Sequence, residues 1–150
     1  MEGDVWHGKA GRTDVSGYAI DRRHIHTFKQ PKGRAKQITT LSKKKIWFAN
    51  PTDRGHPPML PQPKPKTFQG QRVPSYLTKQ PTQSQADVTA KGTWQDSIWQ
   101  LEMQRKLDTG FDDDLAFDPN QSYRTAIAIF DHAEGGKHGS SQVVEITFRK

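Results

Sequence analysis

Four groupings in this 150-residue chain hold side chains that can do chemistry. Trp6-His7 stands close to Lys9 and Arg12, and together these can line a flat, anionic ligand. The same residues also read as a core anchor, Trp6, with a hydrogen-bonded neighbour, His7. His24 and His26 alternate along an extended chain and so share one face, as two metal ligands would. No nearby carboxylate or third histidine completes that set. His56 and Met59 lie in a proline-rich stretch, where either can be a metal ligand or a plain loop residue. Asp112-Asp-Asp114 follows Gly110; paired carboxylates hydrolyse glycosides, but three in one turn more simply cap it or bind solvent or Ca²⁺. The spacing lacks the Gly and the distal Glu of an EF-hand loop. There is no Gly-X-Ser-X-Gly, phosphate loop or His-Glu-X-X-His, so the chain reads as having no catalysis of its own.

The elements that must position these groups show strand periods. From Gly92 to Lys150 the chain reads as a continuous folded unit. Trp99, Leu101, Met103 and Arg105 fall on one side of an extended run, with Gln100, Glu102 and Gln104 on the other. On that face Met103 reads as core rather than as a ligand. Tyr123 to Phe130 is apolar on both sides at its centre, which predicts a strand buried on both faces. Val144, Ile146 and Phe148 share the face of a third run. Thr109-Gly110, Asp118-Pro119-Asn120 and the loop Gly135-Gly-Lys-His-Gly139 separate the runs. Three strands with polar turns predict an antiparallel sheet. Upstream, Ile46 to Ala49 and Ala86 to Gly92 read as strands, and residues 31–45 as a polar, lysine-rich segment. Eight of the ten prolines fall between Pro51 and Pro81, which forbids helix and central strand there. That stretch reads as extended chain laid over a surface, or as a flexible one.

Composition narrows the classes. The length suits a single domain with a modest core. Apolar residues make up 31% and mean hydropathy is −0.93, so part of the chain packs poorly by itself. Having no cysteine removes disulfides, thiolate metal sites and covalent haem attachment. No apolar run reaches membrane-spanning length and no signal-peptide core opens the chain. Residues 1–91 carry 17 Lys/Arg against 6 Asp/Glu, and residues 92–150 carry 6 against 10. The basic front half could meet nucleic acid, an acidic protein or an anionic ligand. Its charges are scattered among prolines and glycines, with no basic amphipathic helix or aromatic RNA motif. It reads as a solvated surface, with no nucleic-acid partner.

The order and spacing of several segments resemble a known family. They are Asp87-Val88, Gly92-Thr-Trp94, Trp99-Gln-Leu-Glu102, Arg105-Lys-Leu-Asp-Thr-Gly110, Asp113-Asp114, Phe117, Tyr123 and Ala126-Ile-Ala-Ile-Phe-Asp131. Asp4-Val-Trp-His-Gly-Lys9, Arg12-Thr-Asp14 and Gly17-Tyr18 extend the pattern, with Gly8 where a tryptophan is usual. The family is the haem-binding domain related to the gamma subunit of ethylbenzene dehydrogenase, also described as the cytochrome c-552/DMSO reductase-like haem-binding domain. The resemblance covers residues 4–21 and about 70–149.

It implies an all-β antiparallel sandwich, similar to carbohydrate-binding modules, holding one non-covalent haem b. It also implies periplasmic electron transfer beside a molybdenum enzyme or a membrane cytochrome. In the ethylbenzene dehydrogenase subunit a methionine and a lysine hold the iron, the lysine in the loop before the final strand. Here that loop offers Lys137 and His138, and histidine is the commoner haem ligand. For the opposite position Met59, His7 and Met103 are the candidates, and His7, Lys9 and Arg12 the residues that would face the cofactor. Strands that precede the Asp-Val-Trp-His segment in relatives are not seen here, nor is the relatives' export signal; the first suggests an incomplete sandwich, and together they suggest a fragment, a cytoplasmic chain or a degenerate copy that has lost haem. The alternative is a haem-free sandwich that binds carbohydrate or a protein, favoured if Trp47, Trp94 and Trp99 line one open face.

Overall fold

A computed structural model describes residues 2–33, 35–51, 53–131 and 137–149. His132, Gly135 and Gly136 of the glycine loop and its approach lie outside them. The described chain is all-β and its sheets are antiparallel throughout, with only two short 3₁₀ turns, Asp14–Ser16 and Gln83–Ala86. Its contacts gather into two compact units, Met1–Ala116 and Phe117–Lys150.

The first unit carries a four-stranded sheet made from β1 (Glu2–Asp4), β2 (Arg23–Thr27), β3 (Ala35–Thr39) and β4 (Lys45–Ala49), in the order β1-β2-β4-β3. β4 is the expected Ile-Trp-Phe strand, and β2 carries His24 and His26. β3 lies in what the sequence presents as a polar stretch. It is a strand because β4 pairs with it over five residues, Ala35↔Ala49 to Thr39↔Lys45. Thr40 closes the turn: its backbone N–H donates to the Lys44 carbonyl (2.9 Å) and its hydroxyl accepts from the Lys44 N–H (3.1 Å). Most of β3 is exposed, so its lysine and glutamine side chains cost nothing there. The largest sheet therefore lies outside the 92–150 segment that looks most folded in the sequence.

After β1 the chain continues past Val5, whose N–H donates to Arg22 O (2.9 Å), and His7, which bridges Ile20 through two backbone hydrogen bonds (2.8 and 3.0 Å). Residues 17–20 are held on their other side by β7 (Thr89–Gln95): Ala19 N–H donates to Val88 O and Ala90 N–H to Gly17 O, both 2.9 Å. β7 pairs with β8 (Ile98–Gln104) over seven residues, including Ala90↔Met103, Gly92↔Leu101 and Trp94↔Trp99. Their two-residue turn, Asp96-Ser97, has positive φ at both positions (51° and 62°), the hand that matches strand twist in a tight hairpin.

The core sits at this junction. Ala19, Val88 and Ala90 are buried, and Trp6 and Met103 pack against them. The expected alternation of β8 holds, and its apolar face runs from inside to outside. Met103 touches the core, whereas Leu101 and Trp99 are 55% and 56% exposed. The proline-rich stretch forms a small hairpin, β5 (Met59–Pro61) with β6 (Tyr76–Thr78), consistent with its exclusion from a central strand. It is tied down by Asp113, whose carboxylate accepts from Arg54 N–H (2.7 Å) and Ser84 Oγ–H (2.8 Å). Gly55 is required here: at φ +95° a Cβ would run into the Thr82 carbonyl.

The second unit contains β9 (Tyr123–Thr125), β10 (Ala128–Ile129), β11 (Gly139–Ser140) and β12 (Val144–Ile146), paired β9–β12 and β10–β11. Phe117, Tyr123 and Phe148 form an aromatic trio with centroids 4.8 to 6.0 Å apart. The Asp118-Pro-Asn turn forms as expected, Asp118 Oδ1 accepting from the Asn120 N–H at 2.9 Å. Two expectations need correction. The three C-terminal runs do not form one three-stranded sheet: the first pairs with β7, and the second pairs with the third. Nor is Tyr123 to Phe130 a doubly buried strand. It breaks at Ala126-Ile127 into β9 and β10, and Ile127, Ile129 and Phe130 are 61%, 69% and 56% exposed. Each half has a hairpin partner, but no layer of the unit's described residues covers it.

Candidate functional site

His7, Lys9 and Arg12 do come from one local structure in the first unit. Lys9 O accepts backbone N–H bonds from Arg12, Thr13 and Asp14 (3.0, 2.9 and 3.2 Å), and buried Thr13 returns its hydroxyl to the Lys9 N–H (2.9 Å). Burial, with Arg22, Lys9 and His24 nearby, holds the His7 imidazole below its ordinary pKa. Burial, then Arg12 and Arg22, lowers Lys9 in the same way. Both shifts favour the neutral, lone-pair-bearing form. Arg12 is committed elsewhere, its guanidinium lying 4.1 Å above the centroid of the Tyr76 ring. Trp6 packs on the core with Arg105 over its ring (5.7 Å), the position of an anchor.

The remaining candidates separate. Met59 is half-buried in β5, opposite Thr78. Met103 is a core residue, and its Cε would lie 3.1 Å from a Cβ at Gly8. A tryptophan at position 8 would have to displace it. His24 stacks at 5.0 Å on Phe48. Neither it nor His26 belongs to a grouping able to hold a metal among the described residues. In the second unit Lys137 and His138 are exposed, and the His138 ring lies 4.7 Å from that of Phe130.

A b-type haem needs an apolar surface for its porphyrin and a lone-pair donor for its iron. Ile127, Ile129 and Phe130 expose apolar area, and the His138 ring lies against that of Phe130. The chemistry of these residues fits one side of such a group. An open groove of about 620 Å³ along β7–β8 fits less well, because Thr89, Lys91, Glu102 and Gln104 line it together with Leu101 and Met103. None of His7, Lys9, Arg12, Met59, Lys137 or His138 reaches it. Trp94 and Trp99 pair across β7–β8 at 5.4 Å but are tilted by 48°, and Trp47 lies on β4. These rings make no coplanar platform for a sugar.

A third cluster was not foreseen. In the first unit the Arg105 and Asp4 side chains are 1% and 3% exposed and Nη1 lies 3.1 Å from Asp4 Oδ2. Arg105 Nη2 donates to Leu115 O (2.8 Å) and lies 4.0 Å from Asp114. Asp4 also accepts from the Leu115 N–H (2.8 Å), and Asp114 from the Thr109 hydroxyl (2.7 Å). Asp21, 1% exposed, completes the group: carboxylate oxygens of Asp4, Asp21 and Asp114 lie within 4.8 Å of one another. Burial, reinforced by Asp4 and Asp114, pushes Asp21 up to about 8. Burial and a hydrogen bond with Asp114 push Asp87 up to about 7. One signal was available in the sequence: Arg105 continues the buried alternation of β8 beyond Met103, and a buried guanidinium needs carboxylates.

Among the described residues no helix is long and apolar enough to cross a membrane. No curated protein and no solved structure matches the chain. A family model described as "Ethylbenzene dehydrogenase" does match, over residues 1–142. That span takes in the Asp-Val-Trp-His segment, the β7–β8 hairpin and the His138 loop, and the all-β architecture agrees with it: the chain belongs to the ethylbenzene dehydrogenase family.

Proposed function

We propose that this chain is a b-type haem-binding electron-transfer domain, without catalysis of its own, that serves a redox enzyme or membrane cytochrome in the periplasm. The observation that carries the reading is His138 packed on Phe130, in a run where Ile127 and Ile129 are also exposed. In the resembled gamma subunit a lysine in the loop before the final strand holds the iron, and Lys137 and His138 lie in the loop that the resemblance matches to it. A bound haem would supply a one-electron couple. The chain's part is to hold it: His138 through its imidazole, with Lys137 as the neighbouring donor, and the apolar side chains by excluding water from the ring.

A protein partner is the second reading, and it needs no haem. Trp94, Trp99 and Leu101 are each more than half exposed on one face of β7–β8. Such an apolar surface suits a companion subunit better than solvent.

The test is an absorption spectrum of the purified chain with added haemin, before and after dithionite. The proposal expects a sharp Soret band and resolved α and β bands on reduction, altered in His138→Ala. A spectrum identical to that of free haemin contradicts it. A low-spin spectrum that His138→Ala leaves intact but Lys137→Ala changes would keep the haem and move the ligand.

A further inference from the structure

The buried carboxylates of the first unit hold more negative charge than their surroundings answer. Asp21 is 1% exposed and neither of its carboxylate oxygens has a hydrogen-bond partner. An ionised carboxylate in such a place is strongly disfavoured unless a cation or a proton joins it. The guanidinium in contact with the group, Arg105, is already engaged with Asp4 and with the Leu115 carbonyl. Asp87 lies against Asp114 and shares a proton with it, so it adds no further charge.

The donor set is all oxygen, which selects a hard cation over zinc or copper. Calcium ligands stand about 2.3–2.6 Å from the ion, so oxygens on opposite sides of it are roughly 5 Å apart. The oxygens of Asp4, Asp21 and Asp114 fall inside that span. Magnesium demands near-ideal octahedral geometry at about 2.0–2.1 Å, whereas calcium accepts the irregular, wider spacing of side chains drawn from separate segments. We propose that Asp4, Asp21 and Asp114 form a Ca²⁺ site that fastens β1, the segment after Ile20 and the Asp112-Asp-Asp114 turn to one another. Arg105 positions Asp4, and Asp87 positions Asp114. The three ligands are far apart in sequence, so binding joins segments that the unfolded chain keeps separate, and it adds to folding stability. The site is independent of any haem.

The test is thermal unfolding of the full chain at pH 7.5 after chelator treatment, with Ca²⁺, Mg²⁺ or excess EDTA. At about 100 times its dissociation constant Ca²⁺ should raise Tm by ~5 °C or more, saturably, with a smaller response to Mg²⁺. Asp21→Asn, nearly isosteric and uncharged, should lose the response while remaining folded in EDTA. Asp112→Asn, at an exposed ion pair with Arg54, should retain it. Asp114→Asn carries the same expectation as Asp21→Asn and serves if that variant does not fold. A wild-type Tm indifferent to Ca²⁺ overturns the proposal, as does an equal response in Asp21→Asn. Indifference to Ca²⁺ combined with a Tm that climbs as pH falls would assign the cluster a shared proton instead.

Discussion

The two units differ in what they bury, although both leave apolar side chains exposed, Trp94, Trp99 and Leu101 in the first among them. In the first, Asp4, Asp21, Asp114 and Arg105 are buried, and the apolar core beside them is small: Ala19, Val88 and Ala90, with Trp6 and Met103 against them. In the second, Ile127, Ile129, Phe130, Val143 and Val144 are all about half exposed or more. Charge inside is held by specificity of partners, and apolar area outside is held by nothing within the unit's described residues. The first arrangement is costly to disturb by a single substitution. The second is cheap to disturb in the isolated chain and costly only when something binds there. The difference separates residues that make the fold from residues available for function.

The largest effect should come from removing the central cation. Arg105→Ala leaves Asp4 and Asp114 buried without it and should cost roughly 3–5 kcal/mol in chemical denaturation. A loss below 1 kcal/mol would mean that the cluster is solvated and the contrast between the units is false. Next, pH should act on the first unit in a definite direction. Asp21 and Asp87 titrate in the folded protein at about 8 and about 7, above the ordinary aspartate value of about 3.9. Between those limits the folded state keeps protons that the unfolded state has released. Stability in EDTA is therefore greatest at the acid end of that range and declines as pH rises through 7 and 8. Tm measured from pH 5 to 8 should fall, and Asp21→Asn should flatten the slope. A rising Tm would contradict the assignment.

Met103→Ala, at the edge of the core, should cost about 1–2 kcal/mol, since the side chain is only partly buried. Gly8→Ala should cost under ~1 kcal/mol, because the Cβ meets the flexible end of Met103 and needs it to yield slightly. Smallest of all, Ile129→Asn on the exposed face should stay within about 0.5 kcal/mol of wild type. The same substitution should weaken haemin binding several-fold. Destabilisation by more than 1 kcal/mol would show that this face is packed in solution.

Much of the fold was legible where a periodic pattern or local side-chain chemistry met a self-sufficient pairing. β8 follows its alternation, β4 its apolar run, and the Asp118-Pro119-Asn120 turn its side-chain chemistry. β3 was not legible, because a polar edge strand owes its conformation to its partner. The burial of Tyr123 to Phe130 was misread for the converse reason. Apolar composition sets what a segment can bury, and a covering layer decides whether it does. The Asp4–Asp21–Asp114 cluster joins positions more than ninety residues apart and has no local signature. Of the proposed haem-facing residues, His7, Lys9 and Arg12 do share one turn and its approach, but Arg12 stacks on Tyr76 and Trp6 joins the core.

The most direct test of the central claim is a haemin titration followed at the Soret band, on wild type and on His138→Ala. The account predicts saturable one-to-one binding by wild type, and a clear loss of affinity with a shifted band in the variant at unchanged Tm. Equal affinity and identical bands in the two proteins would contradict a role for the Phe130–His138 face in holding haem.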